Sequence, residues 1–178
     1  MIHLTSADYT SQPWKNGRGT TVELWRLERD GQILVRLSRA SVIEDGPFSR
    51  FPGIERNLTV LNGPGFRLTG AGIDLRCDPL APVAFPGDVD VVASETNGRA
   101  SDDFNVMTAR HLPKPRVIVT GNATLRAGET LALYALAAGL VNAKAVSAGD
   151  LILTDGPART KGDGRFLAVR LRGLDPPG

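Results

Sequence analysis

Short apolar runs that alternate with polar residues recur along the chain, and glycine or proline separates most of them. Ile33, Val35 and Leu37 alternate with Leu34, Arg36 and Ser38, the two-residue period of a strand whose successive side chains face opposite ways. A strand starting near Val22 precedes them, and Leu58 with Val60, Phe66 with Leu68 and Ile73 with Leu75 follow. Val83-Ala84-Phe85 leads into a turn at Pro86-Gly87-Asp88, then into a strand over Val89 to Val92. Val117 to Val119, Ala123 to Leu125, Leu131 to Leu136, Leu151 to Leu153 and Phe166 to Leu171 complete the series. Leucine and alanine between Leu131 and Ala138 suit a helix by propensity, but the alternation and the bounding Gly128 and Gly139 predict a strand. Lys15 to Thr21, Glu44 to Arg56 and Asn97 to Asp103 read as loops, with a short helical turn at Ser101-Asp102-Asp103, where serine and aspartate suit an N-cap. The predicted fold class is all-β, a barrel or sandwich rather than a βαβ sheet.

The length of 178 residues fits one large domain or two small, intimate ones, and lets the chain bury about 70% of its unfolded surface without staples. A net charge of +2 with no Lys/Arg run argues against nucleic acid as a partner. No window approaches the ~20 apolar residues of a membrane span, and the N-terminus lacks an apolar signal core. Cys77 is the only cysteine, so no internal disulfide forms, and a cytoplasmic location is expected. With no histidine near it in sequence, Cys77 reads as a small buried hydrophobe. The two histidines, His3 and His111, lie far apart, so neither metal nor cofactor is expected. His3 is placed at a strand edge and His111 on a linker surface. Ser49 sits in Pro-Phe-Ser-Arg-Phe, not in a Gly-x-Ser-x-Gly elbow, and no catalytic residue is assigned. Glu23 and Asp103 are the carboxylates available for acid–base work, on no spacing signal.

The densest chemistry lies in Pro13-Trp14-Lys15-Asn16-Gly17-Arg18-Gly19-Thr20-Thr21. Two readings stand: a tight turn feeding a strand, or a backbone concavity for an anion with Lys15 and Arg18 adding charge. A second dense stretch runs from Glu44 to Arg56 and contains Gly46-Pro47-Phe48-Ser49-Arg50-Phe51-Pro52-Gly53. Together with Asp103-Phe104-Asn105, these segments resemble, in order, the signatures of the HutD/Ves family, named for a gene found among histidine-utilisation genes. The resemblance covers nearly the whole chain. Arg18 departs from it, because the family usually has glycine there.

The resemblance implies a bicupin, two jelly-roll-like antiparallel β-barrels in one chain, and a link to histidine degradation. Pro86-Gly87-Asp88-Val89 and Ala148-Gly149-Asp150-Leu151 both set Gly-Asp before a strand, which agrees with two barrels. The seam is expected near Arg110 to Pro115, with residues 1–112 forming the barrel that carries the motifs and 113–178 a smaller one. The His-x-His plus Glu pattern of metal cupins is absent.

The expected ligand is a small anionic metabolite, urocanate or formylglutamate-like, bound without metal in a regulatory or flux-limiting role. The expected ligand-binding residues are Trp14, Lys15, Asn16, Arg36, Phe48, Ser49, Arg56 and Asn105. A guanidinium at Arg56 can clamp a carboxylate through paired hydrogen bonds. The competing reading of Arg56 is a surface arginine, or an ion pair with Glu55 or Asp45. Arg36 faces away from Val35 and Leu37, toward either a barrel interior or solvent. Trp14, Phe48 and Phe51 serve as pocket walls or as core plugs. Glu23 is expected to pair with Lys15 or Arg18. The alternative function is a cofactor-free isomerase, hydrolase or lyase acting on a similar carboxylate. A third is an interaction protein that docks on a regulator or a pathway enzyme, with barrel edges available for a homodimer.

Overall fold

A computed structural model describes residues 1–14, 19–126, 128–161 and 165–174. Lys15, Asn16 and Arg18 therefore lie outside the described residues. After β1 (Ile2–Leu4) and a single 3-10 turn at Ser6–Asp8 come β2 (Thr10–Pro13), β3 (Thr20–Arg29), β4 (Gln32–Val42), β5 (Gly46–Pro47) and β6 (Ile54–Asn62). They are followed by β7 (Phe66–Gly70), β8 (Ile73–Cys77), β9 (Val83–Pro86), β10 (Val91–Ser94) and β11 (Ser101–Ala109). Then come β12 (Arg116–Thr120), β13 (Thr124–Leu125), β14 (Thr130–Ala135), β15 (Gly139–Val141), β16 (Lys144–Val146), β17 (Leu151–Thr154), β18 (Ala158–Lys161) and β19 (Phe166–Leu171). The molecule is all-β, as its two-residue patterning predicts, and among the described residues no helix is long and apolar enough to cross a membrane.

The strands form two compact units, Thr10–His111, and Met1–Tyr9 with the chain from Leu112 onward. In Thr10–His111 a six-stranded sheet of order β2-β3-β4-β11-β6-β9 packs on a four-stranded sheet of order β5-β10-β7-β8. Their shared core draws Val42, Leu58, Val60 and Phe85 from the first sheet and Phe66, Leu68, Cys77, Val91 and Ala93 from the second. These are alternate residues of their strands, the inward half of the apolar–polar pattern. In the other unit, sheet β1-β17-β14-β19-β12 faces sheet β13-β18-β15-β16. Its core is likewise two-sided, with Leu131, Leu133, Ile152 and Phe166 meeting Leu125, Val141, Val146 and Ala158. Each ladder is open, with edge strands at both ends.

At three places the structure adds to or alters the sequence expectations. Ser101-Asp102-Asp103 is not a helical turn but the start of β11, because this segment pairs with Val42, Ser41 and Ala40 of β4. A central strand with partners on both sides satisfies backbone groups that local capping would otherwise serve. Glu23 pairs with Arg36, a partner the sequence did not suggest, while Lys15 and Arg18 lie outside the described residues. The first nine residues leave the expected 1–112 grouping, because β1 pairs antiparallel with β17 (Ile2 with Leu153). His3 Nε2 lies 2.8 Å from Asp150 Oδ2, and the Tyr9 hydroxyl donates to the Gly149 carbonyl at 2.7 Å. An edge strand contributed by the opposite end of the chain leaves no mark in local sequence.

Candidate functional site

Within Thr10–His111, one face of the six-stranded sheet changes from apolar to polar along its strands. Arg36, Ser38, Ala40 and Val42 are alternate residues of β4, and Asp103, Asn105 and Met107 are alternate residues of β11. The register sets Met107 between Arg36 and Arg56, Asn105 opposite Ser38, and Asp103 between Ala40 and Val60. With Gln12, Trp14 and Thr21 from β2 and β3 and the segment Pro47 to Phe51, this face surrounds a cavity of about 590 Å³. That is the size of a small-molecule site.

Arg56 is only 6% exposed. Its Nη2 donates to Asn105 Oδ1 at 2.8 Å and its Nη1 to the Ser49 carbonyl at 3.3 Å, while its buried Nε has no hydrogen-bond partner among the described residues. The guanidinium carbon lies 5.3 Å from the ring centres of Phe48 and Phe51 and 5.0 Å from that of Phe85. Aromatic faces stabilise a desolvated cation. Burial pulls the guanidinium down to about 10, against the charge of Asp103 and with some help from Arg36, so it stays charged at neutral pH.

Asp103 is 1% exposed, and Asn105 Nδ2 donates to its Oδ1. Burial pushes its carboxyl up to about 7. Arg56 and the Asn105 amide oppose that rise, and Asp102 adds to it. The reason is visible in the register: its cross-strand neighbours, Ala40 and Val60, offer a carboxylate no hydrogen bond.

The rest of the wall is held in place by a surrounding set of bonds. Arg36 Nε donates to Glu23 Oε2 at 2.6 Å, which neutralises the second cavity arginine. The Trp14 indole N–H donates to Thr21 Oγ1 at 2.8 Å, and the Trp14 amide donates to the Gly19 carbonyl at 2.8 Å. A Cβ at Gly19 would lie 2.7 Å from the indole ring, so only glycine fits beneath Trp14. The Phe51 amide donates to the Gly87 carbonyl, and the Gly87 amide to the Ile54 carbonyl, both at 2.7 Å. Arg110 grips Asp88 through two bonds of 2.6 and 2.8 Å and Glu55 through one of 2.9 Å. The turn after β9 is thereby fixed beside the segment that carries Ser49 and Phe51.

Six of the eight residues expected to bind ligand line this one cavity: Trp14, Arg36, Phe48, Ser49, Arg56 and Asn105. The other two, Lys15 and Asn16, fall outside the described residues. Arg56 is neither a surface residue nor paired with Glu55, which Arg110 holds, or with Asp45, which accepts from Thr96. Arg36 faces the cavity and carries its own acidic partner. Asp103, weighed only as a general acid or base, is the buried carboxyl of the site, and Phe85 is the third ring against Arg56. The signal for Asp103 is its two-residue spacing from Asn105, which a loop over Asn97 to Asp103 conceals. Among the described residues no group of three His, Cys, Asp or Glu lies close enough to hold a metal ion.

The chain is 41% identical over 111 residues to a Pseudomonas putida protein described as an uncharacterised 21.2 kDa protein in the hutC 3′ region. That match covers 60% of this chain and 57% of the relative, so the chain spans little more than half the length of this curated relative. A solved structure of HutD from Pseudomonas fluorescens SBW25, in a formate condition, is 29% identical. It superposes with a TM-score of 0.82 over 97% of this chain and 99% of that one. A cupin 2 conserved barrel domain protein from Leptotrichia buccalis shares the fold at 11% identity, with a TM-score of 0.57 and 92% of each chain covered. The sequence profile of the HutD family matches residues 6–167, and the chain belongs to that family.

Proposed function

We propose that the Thr10–His111 unit binds a small carboxylate-bearing metabolite in its cavity, without a metal, with Arg56 as the clamp. The observation that carries this reading is the buried guanidinium whose bonded partners are neutral oxygens and whose Nε has none. A buried cation without a paired anion is costly, and a ligand carboxylate supplies the missing charge and acceptor together. Trp14 and Phe48 then form apolar walls, and Ser49 and Asn105 set the guanidinium plane. Membership of the HutD family supports a ligand from histidine degradation, urocanate or a formylglutamate-like acid, and a regulatory or flux-limiting role. The low-identity likeness to a cupin supports reading each two-sheet unit as one jelly-roll-like barrel. The test is a thermal-shift titration of the purified chain with these acids and with simple dicarboxylates. Saturation at about 100 times Kd stabilises by about 2.7 kcal/mol and raises Tm by about 5–10 °C. Arg56→Met is expected to abolish the shift, and a panel without any shift refutes the reading.

Asp103 favours a second reading, a cofactor-free acid–base enzyme acting on such a metabolite. A carboxyl held at about 7 inside a ligand-sized cavity is suited to proton transfer near neutral pH. Turnover of a bound acid that Asp103→Asn removes while binding persists selects this reading. Binding without turnover selects the first.

A further inference from the structure

Asp103 and Arg56 communicate through a single amide. Asn105 accepts from Arg56 with Oδ1 and donates to Asp103 with Nδ2, so the carboxyl touches a neutral donor rather than the cation. The charged and titratable groups around Asp103 lie on its own strand and on neighbouring ones. Arg56 on β6 favours its ionised form and Asp102, next on β11, opposes it. The Cys77 thiol on β8 is itself pushed up by burial and by Asp103, and stays neutral. Arg36 on β4 is consumed by Glu23 on β3. Among the described residues, the ionised form of Asp103 is favoured first by the charge of Arg56 and then by the Asn105 amide.

A carboxylate seated on Arg56 neutralises that charge and brings a second anion into the same cavity. Two carboxylates that share a desolvated site resist ionising together. We propose that the cavity takes up its carboxylate together with one proton from solvent, held on Asp103, so that the site binds the equivalent of the neutral acid. This rests on the carboxylate-binding reading above and adds a chemical selectivity to it: the pocket responds to the concentration of acid and of protons jointly. Burial already brings Asp103 to about 7, and the negative charge of the ligand in the same desolvated cavity raises it further, which keeps the proton in place above neutral pH. Kd is then flat below about pH 6 and rises about tenfold per pH unit above about pH 7.5, until the carboxyl of the complex itself ionises.

The test is calorimetric titration of the full chain with N-formyl-L-glutamate and, separately, acetate, whose carboxyl groups are ionised throughout this window. Each titration is run at about pH 8 in two buffers of different ionisation enthalpy, because the enthalpy difference counts the protons taken up. The expected result is close to one proton per ligand for the native chain, and none for Asp103→Asn, whose Kd is flat with pH. The native chain alone decides the matter if the variant does not fold. Binding with no proton uptake and a Kd unchanged from about pH 6 to about pH 8.5 overturns this inference and leaves the carboxylate site standing. No binding of either acid overturns both.

Discussion

Replacing Asp103 with asparagine removes a fully buried carboxyl whose proton affinity is set by its surroundings, and its effect on stability can be worked out in advance. In the folded chain the carboxyl is raised to about 7 from an ordinary value of 3.8. Between those values the folded state holds a proton that the unfolded state has released, so stability falls as pH rises through this window. Integrating the two titrations between about pH 5 and about pH 8 gives a loss of roughly 2–3 kcal/mol attributable to Asp103, or about 5–10 °C in Tm for a chain of this length. Asparagine has the same shape and no proton to lose. Carboxylates held below their usual range by hydrogen bonds, such as Asp45 and Asp88, are ionised throughout the window and cancel between the two proteins. The assay is Tm by circular dichroism or calorimetry for both proteins at half-unit pH steps. The native-minus-variant difference should fall steadily from about pH 5 and level off above about pH 7.5. Parallel curves would refute the argument, because they would mean that Asp103 is either solvated or held ionised by Arg56.

Other residues give separate tests. Glu23→Gln releases Arg36 from its 2.6 Å ion pair and leaves a second uncompensated cation facing the cavity. Its Kd ratio for acetate over succinate should rise relative to the native chain, at a cost of about 1–3 kcal/mol in stability measured by urea denaturation. Gly87→Ala places a Cβ 2.7 Å from the Phe51 carbonyl and 2.8 Å from that of Ile54. It should destabilise by about 1–3 kcal/mol and weaken carboxylate binding, because the strain falls on the segment that carries Ser49 and Phe51. Cys77, buried and pushed up to about 12, should resist a thiol reagent at about pH 8 in the native state and react at once in denaturant, as followed by absorbance.

The strand-forming half of this fold is legible residue by residue. Val35 and Leu37, Leu58 and Val60, and Phe66 and Leu68 announce strands because each must alternate between a core and a second face. The segment from Leu131 to Ala135 is strand despite its helical composition, since β14 sits between β17 and β19 and its backbone groups are bonded on both sides. β11 shows why local reading fails elsewhere. Ser101-Asp102-Asp103 has cap-forming residues, yet pairing with β4 and β6 carries the segment into the middle of a sheet. The short β2, β15, β16 and β18 are not legible, because in these segments three or four residues carry too little periodicity to register.

The chain by itself determined the all-β class, the family and several residues of the cavity wall, because a two-residue period and dense motif segments are local properties. Arg56 and Asn105 are each legible as candidate ligand-binding residues from their motif segments. Only the tertiary structure decided which charges cancel. Arg36 meets Glu23 through the β3–β4 register, and Arg56 meets Asn105 through the β6–β11 register. Asp103 gains its elevated proton affinity from burial in the sheet, where its cross-strand partners are Ala40 and Val60 on two different strands. Desolvation depends on every neighbour within a few ångströms, and in a sheet most of those neighbours come from other strands. The state of the cavity's ionisable groups, and with it the chemistry the site can perform, is therefore a property of register.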